Sequence, residues 1–154
     1  MTIRELHPSD LPLLGNWLSK EYIREYFGEP DNWLQEITLN LDDSTWIHYY
    51  IVEEIIPMGF FQYYNTDKAP EGEWSNEPIG TAGIDFLIGE ESFLNKGYGV
   101  KILKIIIEEI KLKGFYKFII ADPDQRNAAS VKVLQKCGFK LAMNGLYKLK
   151  IDDL

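Results

Sequence analysis

The chain has 154 residues, 45% of them hydrophobic and 14% aromatic, and its formal net charge is −8. This composition predicts a single globular domain spanning residues 1–154 and excludes a disordered chain, while the acidic balance argues against a nucleic-acid partner. One cysteine, Cys137, excludes an internal disulfide, and no apolar run is long enough to cross a membrane, so we expect a cytoplasmic protein without a membrane partner.

The amino-terminal part begins with a strand-like stretch rather than a signal peptide. Ser9 is placed to cap the first helix, with Asp10 in its first turn, and Asp31 is a candidate cap for a later helix. Two strand-like runs follow, joined by a turn at residues 55–57. The predicted elements are strands at 2–6, 46–53 and 58–64, and helices after Ser9, at 21–26 and from Asp31 to 39.

The segment from Asn65 to Pro78 is long, polar and rich in Glu, Pro and Gly. Loops of this length often carry function, and its carboxylates are placed to meet a cationic ligand. A solvated excursion between two strands is an equally good interpretation. The acidic residues of this loop are Asp67, Glu71, Glu73 and Glu77.

The carboxyl-terminal half alternates strands and helices, and Asn144-Gly145 is typical of a hairpin turn between the last two strands. This order predicts a mixed α/β architecture with helices on both faces of the sheet. The predicted elements are strands at 79–88, 117–121, 139–143 and 146–151, and helices at 98–113 and 127–136.

The strand at 79–88 carries one carboxylate, Asp85, among apolar residues. Alternation places Ala82, Ile84, Phe86 and Ile88 on one face, suited to the core, and Asp85 on the other. Because burying an unpaired charge is costly, such a residue normally has a partner or a function. Asp85 is therefore either a functional carboxylate or a half-exposed strand residue paired with a lysine.

The turn that follows this strand contains two glycines one residue apart, in the segment Leu94–Val100. Glycine lets a ligand approach the backbone closely, and a helix start presents free N–H groups to an anion, so the turn is suited to a pyrophosphate. Lys96 adds a cation. An ordinary turn is the alternative, since neither a dinucleotide fingerprint nor a P-loop is present.

A second motif, Asn127–Phe139, lies about thirty residues downstream. Asn127 is suited to cap a helix with Val131 and Leu134 on its apolar face, and Gly138 is suited to end it. The two motifs together resemble the acetyl-CoA-binding core of the GNAT superfamily of N-acetyltransferases. The resemblance implies a mixed, mostly antiparallel sheet of about seven strands and acetyl-CoA as co-substrate.

The same resemblance implies where acetyl-CoA binds. Backbone N–H groups of the glycine turn would hold the pyrophosphate, and one of the lysines at 101, 104, 132 and 136 could meet the 3′-phosphate, although such lysines are often only solvated. The donor-binding candidates are Leu87, Asn95, Lys96, Gly97, Tyr98, Gly99, Val100, Asn127 and Lys136.

Two positions depart from the family pattern. Leu134 stands where GNAT proteins often carry a tyrosine that acts as general acid, and Leu94 stands where many carry Gln or Arg. Tyr98, Tyr147 or solvent could protonate the leaving thiolate instead, and the sequence does not choose among them. Acetyl transfer also needs a neutral amine and a stabilised thioester oxygen; Asp85 could take the amine proton, and a backbone N–H of its strand could serve the oxygen.

Within the superfamily, the chain is similar to the aminoglycoside 6′-N-acetyltransferases almost end to end, most distinctively at Gly83-Ile84-Asp85, and Asp122-Pro123 is among the other matching segments. That similarity implies Asp85 as catalytic base and Asp122 as an acceptor-binding residue. Gln62 and Tyr64 belong to an aromatic run, 60–64, that lines the acceptor cleft or is simply core. We include both as acceptor-binding candidates.

Three functions remain open at this level. The first is acetyl transfer to a small cationic amine, an aminoglycoside foremost; the second is transfer to another amine, such as a siderophore precursor, a protein N-terminus or a lysine; the third is a non-catalytic CoA-binding module. His7 and His48 lack the spacing of paired metal ligands, so no metal is expected. Either a monomer or a homodimer is compatible with the sequence.

Overall fold

The computed structural model describes residues 1–42, 44–70, 72 and 74–151, so Glu71 and Glu73 of the acidic loop lie outside the described residues. Two single-turn 3-10 helices cover Pro8–Asp10 and Glu91–Phe93. The strands are β1 Thr2–Glu5, β2 Ile47–Glu54, β3 Ile56–Asn65, β4 Thr81–Ile88, β5 Phe118–Ala121, β6 Lys140–Leu141 and β7 Tyr147–Lys150. The helices are α1 Leu11–Leu18, α2 Glu21–Phe27, α3 Pro30–Asn40, α4 Tyr98–Lys111 and α5 Ala128–Lys136.

The described strands form one seven-stranded sheet in the order β1-β2-β3-β4-β5-β7-β6. Among these pairings only β4 with β5 is parallel. The predicted mixed, mostly antiparallel sheet is thereby confirmed. None of the described helices is long and apolar enough to cross a membrane.

Each face of the sheet packs against its own layer of helices. One apolar cluster joins the sheet to α4 and α5, and a second joins it to α1, α2 and α3. The alternation predicted for β4 is confirmed, because Ala82 and Ile84 belong to the first cluster and Leu87 to the second. Asp85 therefore lies on the face covered by α1–α3.

Two predicted helix caps are wrong. His7, not Ser9, caps the first turn: its side chain accepts from the Ser9 N–H at 3.1 Å, and its own N–H donates to Asp10 at 2.8 Å. Pro8 occupies the first position of this turn, because its fixed φ is already helical, so the residue before it, His7, is the cap. Pro30 acts likewise in α3, so Glu29 is the cap residue and Asp31 lies inside the first turn.

Two of the predicted boundaries that differ from the structure are set by residues with positive φ. Residues 56 and 57 belong to β3, because Ile55 alone turns the chain, at a φ of 69°. β4 begins at Thr81 rather than at residue 79, since Gly80 has a φ of 92° that ends extended backbone on its amino-terminal side.

Helix α5 has both predicted ends. The Asn127 side chain accepts from the Ser130 N–H at 3.1 Å. At the other end, Gly138 has a φ of 93°, its N–H donates to the carbonyl of Gln135, and the Phe139 N–H donates to that of Leu134. These two bonds form a Schellman motif, so the helix stops at a fixed point before β6.

Strands β4 and β5 separate part-way along the sheet. They pair only where Thr81–Ile84 lies beside Phe118–Ala121, and β5 ends there while β4 continues to Ile88. The carboxyl-terminal half of β4 consequently has a partner, β3, on one side only. This divergence opens a cleft in the middle of a seven-stranded sheet.

Candidate active site

A cavity of about 590 Å³ fills the divergence of β4 and β5. Its walls are the second half of β4, the segment after β5, the first turns of α5 and the apolar side of α2. Of the predicted site residues, those that line it are Asp85, Leu87, Gly99, Asp122 and Asn127.

Asp85 is partly buried and accepts a hydrogen bond of 2.9 Å from the Gln62 side-chain amide. Gln62 lies directly opposite Asp85 on β3, so the strand register itself brings the two side chains together. Burial raises the pKa of Asp85 to about 7. The Gln62 bond opposes this rise, and the negative charges of Glu36 and Asp122 add to it. A carboxyl group with this pKa exchanges protons readily at neutral pH.

Tyr64 lies beside this carboxylate. Its ring is packed onto Gly83, where a Cβ atom would collide with the ring. Trp46 and Trp74 meet the same ring edge-on, at centroid distances of 6.4 and 5.7 Å. Burial and the charges of Asp85 and two other acidic groups raise the pKa of Tyr64, so it remains a neutral hydroxyl.

Backbone groups on the second half of β4 face the cleft. The Gly89 N–H donates to the Met58 carbonyl, and the Thr66 N–H donates to the Thr81 carbonyl, which shows that odd-numbered residues of β4 bond to β3. Even-numbered residues therefore direct their N–H and C=O groups toward β5. Beyond Ala121 that neighbour is gone, so Phe86 and Ile88 present backbone groups to the cavity.

The glycine turn lies at the start of α4, next to this edge. Asn95 and Gly97 both adopt left-handed backbone, with φ of 59° and 82°, and Gly97 caps α4 without any side-chain hydrogen bond. The first N–H groups of the helix are thus unoccupied by a capping side chain. Gly99 lies against α5, where a Cβ atom would be 3.0 Å from the Val133 side chain. This arrangement fits the backbone anion cradle expected for the donor's pyrophosphate.

The remaining predicted residues are not all beside the cavity. Gln62 lies on the neighbouring strand β3, where it bonds to Asp85, and Tyr64 lies close to the Asp85 carboxylate. The described lining of the cavity leaves out Asn95, Lys96, Gly97, Tyr98 and Val100, which belong to the turn and first turn of α4, and Lys136, which is exposed at the last turn of α5.

Three side chains from α1 and the start of α2 were missed by the sequence interpretation. Tyr22 lines the cavity, and its hydroxyl donates to the carbonyls of Ile88 and Gly89, at 2.8 and 3.2 Å. Lys20 donates to the Gly89 carbonyl at 2.7 Å, and the Trp17 ring lies over Gly89, where it leaves no room for a Cβ atom. These contacts join residues about 70 positions apart, for which a local pattern gives no signal.

Arg126 is a second omission. It pairs with Asp124 at 2.8 Å, donates to the Glu25 carbonyl at 3.4 Å and lies 5.8 Å from the Tyr26 ring. It thereby links the segment after β5 to α2 across the cleft. A cation two residues from an aspartate is too common in loops to have indicated this link.

Leu134, at the position of the family's general acid, and Tyr98, a candidate replacement, lie in different surroundings. Leu134 is fully buried, as an apolar core residue. Tyr98 packs edge-on against Phe93 and carries Lys101 over its ring.

Among the described residues, no group of His, Cys, Asp and Glu has the arrangement of a metal site.

Comparisons with known proteins agree with this geometry. The family model described as an acetyltransferase (GNAT) domain matches residues 7–145. The chain is 27% identical over 151 residues to aminoglycoside N(6′)-acetyltransferase type 1 of Klebsiella pneumoniae, covering 91% of this chain and 74% of that protein. The crystal structure of aminoglycoside acetyltransferase AAC(6′)-Ib with coenzyme A superposes with a TM-score of 0.82 at 26% identity, covering 97% of this chain and 94% of that one. A structure of the same enzyme with paromomycin and acetyl-CoA superposes with a TM-score of 0.83 at 26% identity, covering 97% of this chain and 92% of that one.

Proposed function

The chain belongs to the GNAT acetyltransferase family and is an acetyl-CoA-dependent N-acetyltransferase, and from that premise we propose that its acceptor is an aminoglycoside amine and its base is Asp85. The observation that carries the proposal is a carboxyl group with a pKa of about 7 in the wall of the cleft between β4 and β5. The acetyl group passes directly from donor to amine in this proposal.

An amine attacks only in its neutral form, because an ammonium ion has no free electron pair. A base is most effective when its pKa lies near the working pH, and burial places Asp85 there. Asp85 takes the proton directly or through one water molecule. The hydrogen bond from Gln62 holds the carboxylate toward one orientation while it does so.

The acceptor is expected to carry several positive charges. Asp85 and Asp122 both line the cavity, and Glu36 is near enough for its charge to act on Asp85. A cluster of carboxylates concentrates polycations around it. Relatives at 26–27% identity are named for aminoglycosides, which are polyamines of this kind.

The donor is expected along the open edge of β4. The two amides of the pantetheine arm match the N–H and C=O of Phe86 and the N–H of Ile88, in the way that a peptide adds to a sheet edge. The start of α4 then receives the pyrophosphate. A β4 N–H close to the thioester oxygen would stabilise the charge that develops there.

The direct test is acetyl-CoA-dependent thiol release with kanamycin, in wild type and in Asp85→Asn. We expect fast release that requires kanamycin, and a loss of at least about 100-fold in kcat for the variant. Equilibrium binding of acetyl-CoA, measured by calorimetry, should be the same for both proteins.

Release that persists in Asp85→Asn would exclude the assigned base. Absence of release with kanamycin, together with normal acetyl-CoA binding, would exclude the aminoglycoside and leave the donor assignment intact. A panel of polyamines, hydroxamate precursors and peptides would then identify the acceptor class.

A further inference from the structure

The end of β4 is held by three side chains, and one of them, Tyr22, occupies a backbone group on the open edge. Its hydroxyl donates to the Ile88 carbonyl at 2.8 Å. Burial, together with the charges of Glu91 and Glu90, raises the pKa of Tyr22 to about 12, so the hydroxyl keeps its proton at neutral pH. It therefore remains a donor, with its shorter hydrogen bond to the Ile88 carbonyl and a longer contact, 3.2 Å, to that of Gly89.

The Tyr22 bond limits what the open edge can offer to an extended ligand. Phe86 presents both its N–H and its C=O to the cavity, whereas the Ile88 C=O already accepts from Tyr22, which lies in the cavity wall and restricts access to the second lone pair of that oxygen. A ligand arm with regularly spaced amides can pair with a strand in registers that differ by two residues. Without Tyr22, Ile88 would offer the donor arm an accessible N–H and C=O, as Phe86 does, and the arm could pair with either residue.

A shift of the donor arm by two residues along β4 would give a complex that cannot react. It would move the arm by about 6.7 Å along the strand, toward Gly89 and away from Asp85. The position of Gly89 is itself fixed by Lys20, which donates to its carbonyl, and by the overlying Trp17 ring. The strand end therefore cannot swing away to avoid the shifted pairing.

We infer that Tyr22 is a positioning residue that sets the register of the acyl donor on β4 by blocking the Ile88 carbonyl. The inference rests on the proposed placement of the pantetheine arm along this edge. It assigns to α2 a function in donor alignment, in addition to its place in the wall of the cleft.

The test is the steady-state kinetics of Tyr22→Phe, which removes only the hydroxyl. Unproductive binding in a shifted register lowers kcat and the KM for acetyl-CoA by the same factor and leaves kcat/KM unchanged. We expect both to fall about five-fold, the effect of one ordinary hydrogen bond. Tyr116→Phe is the control: it removes a hydroxyl from a partly buried tyrosine that packs on Tyr63 and Phe115, outside the lining of the cavity, and is expected to leave all three parameters unchanged.

A raised KM with unchanged kcat would show that Tyr22 is only a donor contact, and unchanged kinetics would show that it has no effect; either result overturns the inference. Crystal structures of wild type and Tyr22→Phe with acetyl-CoA, without acceptor, read the register directly. We expect the arm to be shifted in the variant, and an identical position in both would also overturn the inference. Because this readout needs no acceptor, it stays valid if kanamycin is not the substrate.

Discussion

Asp85 is partly buried and accepts a hydrogen bond from Gln62, and its neighbours shift its pKa in opposite directions. The Gln62 amide favours the carboxylate, whereas the negative charges of Glu36 and Asp122 favour the protonated form. Since only the carboxylate can accept a proton from the amine, activity should rise with pH through a value near 7. The rising limb of kcat/KM reports this group in the free enzyme.

Two substitutions should move that limb in opposite directions. Gln62→Met removes the bond that lowers the pKa of Asp85, so the limb should shift above pH 7. Glu36→Gln removes a charge that raises it, so the limb should shift below. The measurement is kcat/KM against pH from 5 to 9 for the two variants and wild type. Shifts in the same direction for both would contradict the assignment of the limb to Asp85.

At the scale of the elements, local signals predicted much of the structure and long-range contacts did not. The Asn127 cap, the Gly138 stop and the side of β4 that carries Asp85 follow from neighbouring residues, and all are confirmed. The divergence of β4 from β5 depends instead on where β5 ends. The bond from Tyr22 to Ile88 likewise joins distant segments, and neither leaves a periodic pattern.

The packing of β4 on β3 yields a second prediction, at Gly83. Gly83→Ala would place a methyl group against the Tyr64 ring, which Trp46 and Trp74 hold in place. We expect a loss of about 1–3 kcal/mol in the free energy of unfolding, from overpacking, and reduced turnover. Urea unfolding measures the first quantity and thiol release the second.

Gly15→Ala is the matched control for that substitution. Its Cβ would meet only the Leu34 side chain, at an ordinary 3.4 Å, and alanine favours the helix α1 in which it lies. It should therefore stabilise the protein by about 0.5–1 kcal/mol. Stability unchanged by Gly83→Ala would show that the Tyr64 ring relaxes freely.

For the whole molecule, the burial of Asp85 has a cost in stability that depends on pH. The pKa of Asp85 rises from an ordinary 3.8 to about 7 on folding. A raised carboxyl pKa means that the folded state binds the proton more tightly than the unfolded state does. The stabilisation that this tighter proton binding gives the folded state is fully present below pH 4, and it is lost as the pH rises to 7 and above.

Asp85→Asn removes this dependence while nearly preserving the shape of the side chain. The free energy of unfolding of Asp85→Asn minus that of wild type should be larger at pH 8 than at pH 5. The reason is that wild type loses stability as the pH rises, until the pH passes the pKa of Asp85 in the folded state. The increase should be at most about 3 kcal/mol, since each pH unit below that pKa is worth about 1.4 kcal/mol. Urea unfolding of both proteins at the two pH values measures it. An equal difference at pH 5 and pH 8 would show that Asp85 titrates at its ordinary pKa.

The separation of β4 from β5 also divides one strand into two classes of amide hydrogen exchange. The N–H groups of Ala82 and Ile84 point toward β5 where it is present, so they should exchange slowly, as in any central strand. Those of Phe86 and Ile88 point into the cleft, so they should exchange quickly although they lie in the middle of a seven-stranded sheet. If the donor binds along this edge as proposed, acetyl-CoA should slow the second class selectively, because it then takes the place of a missing strand.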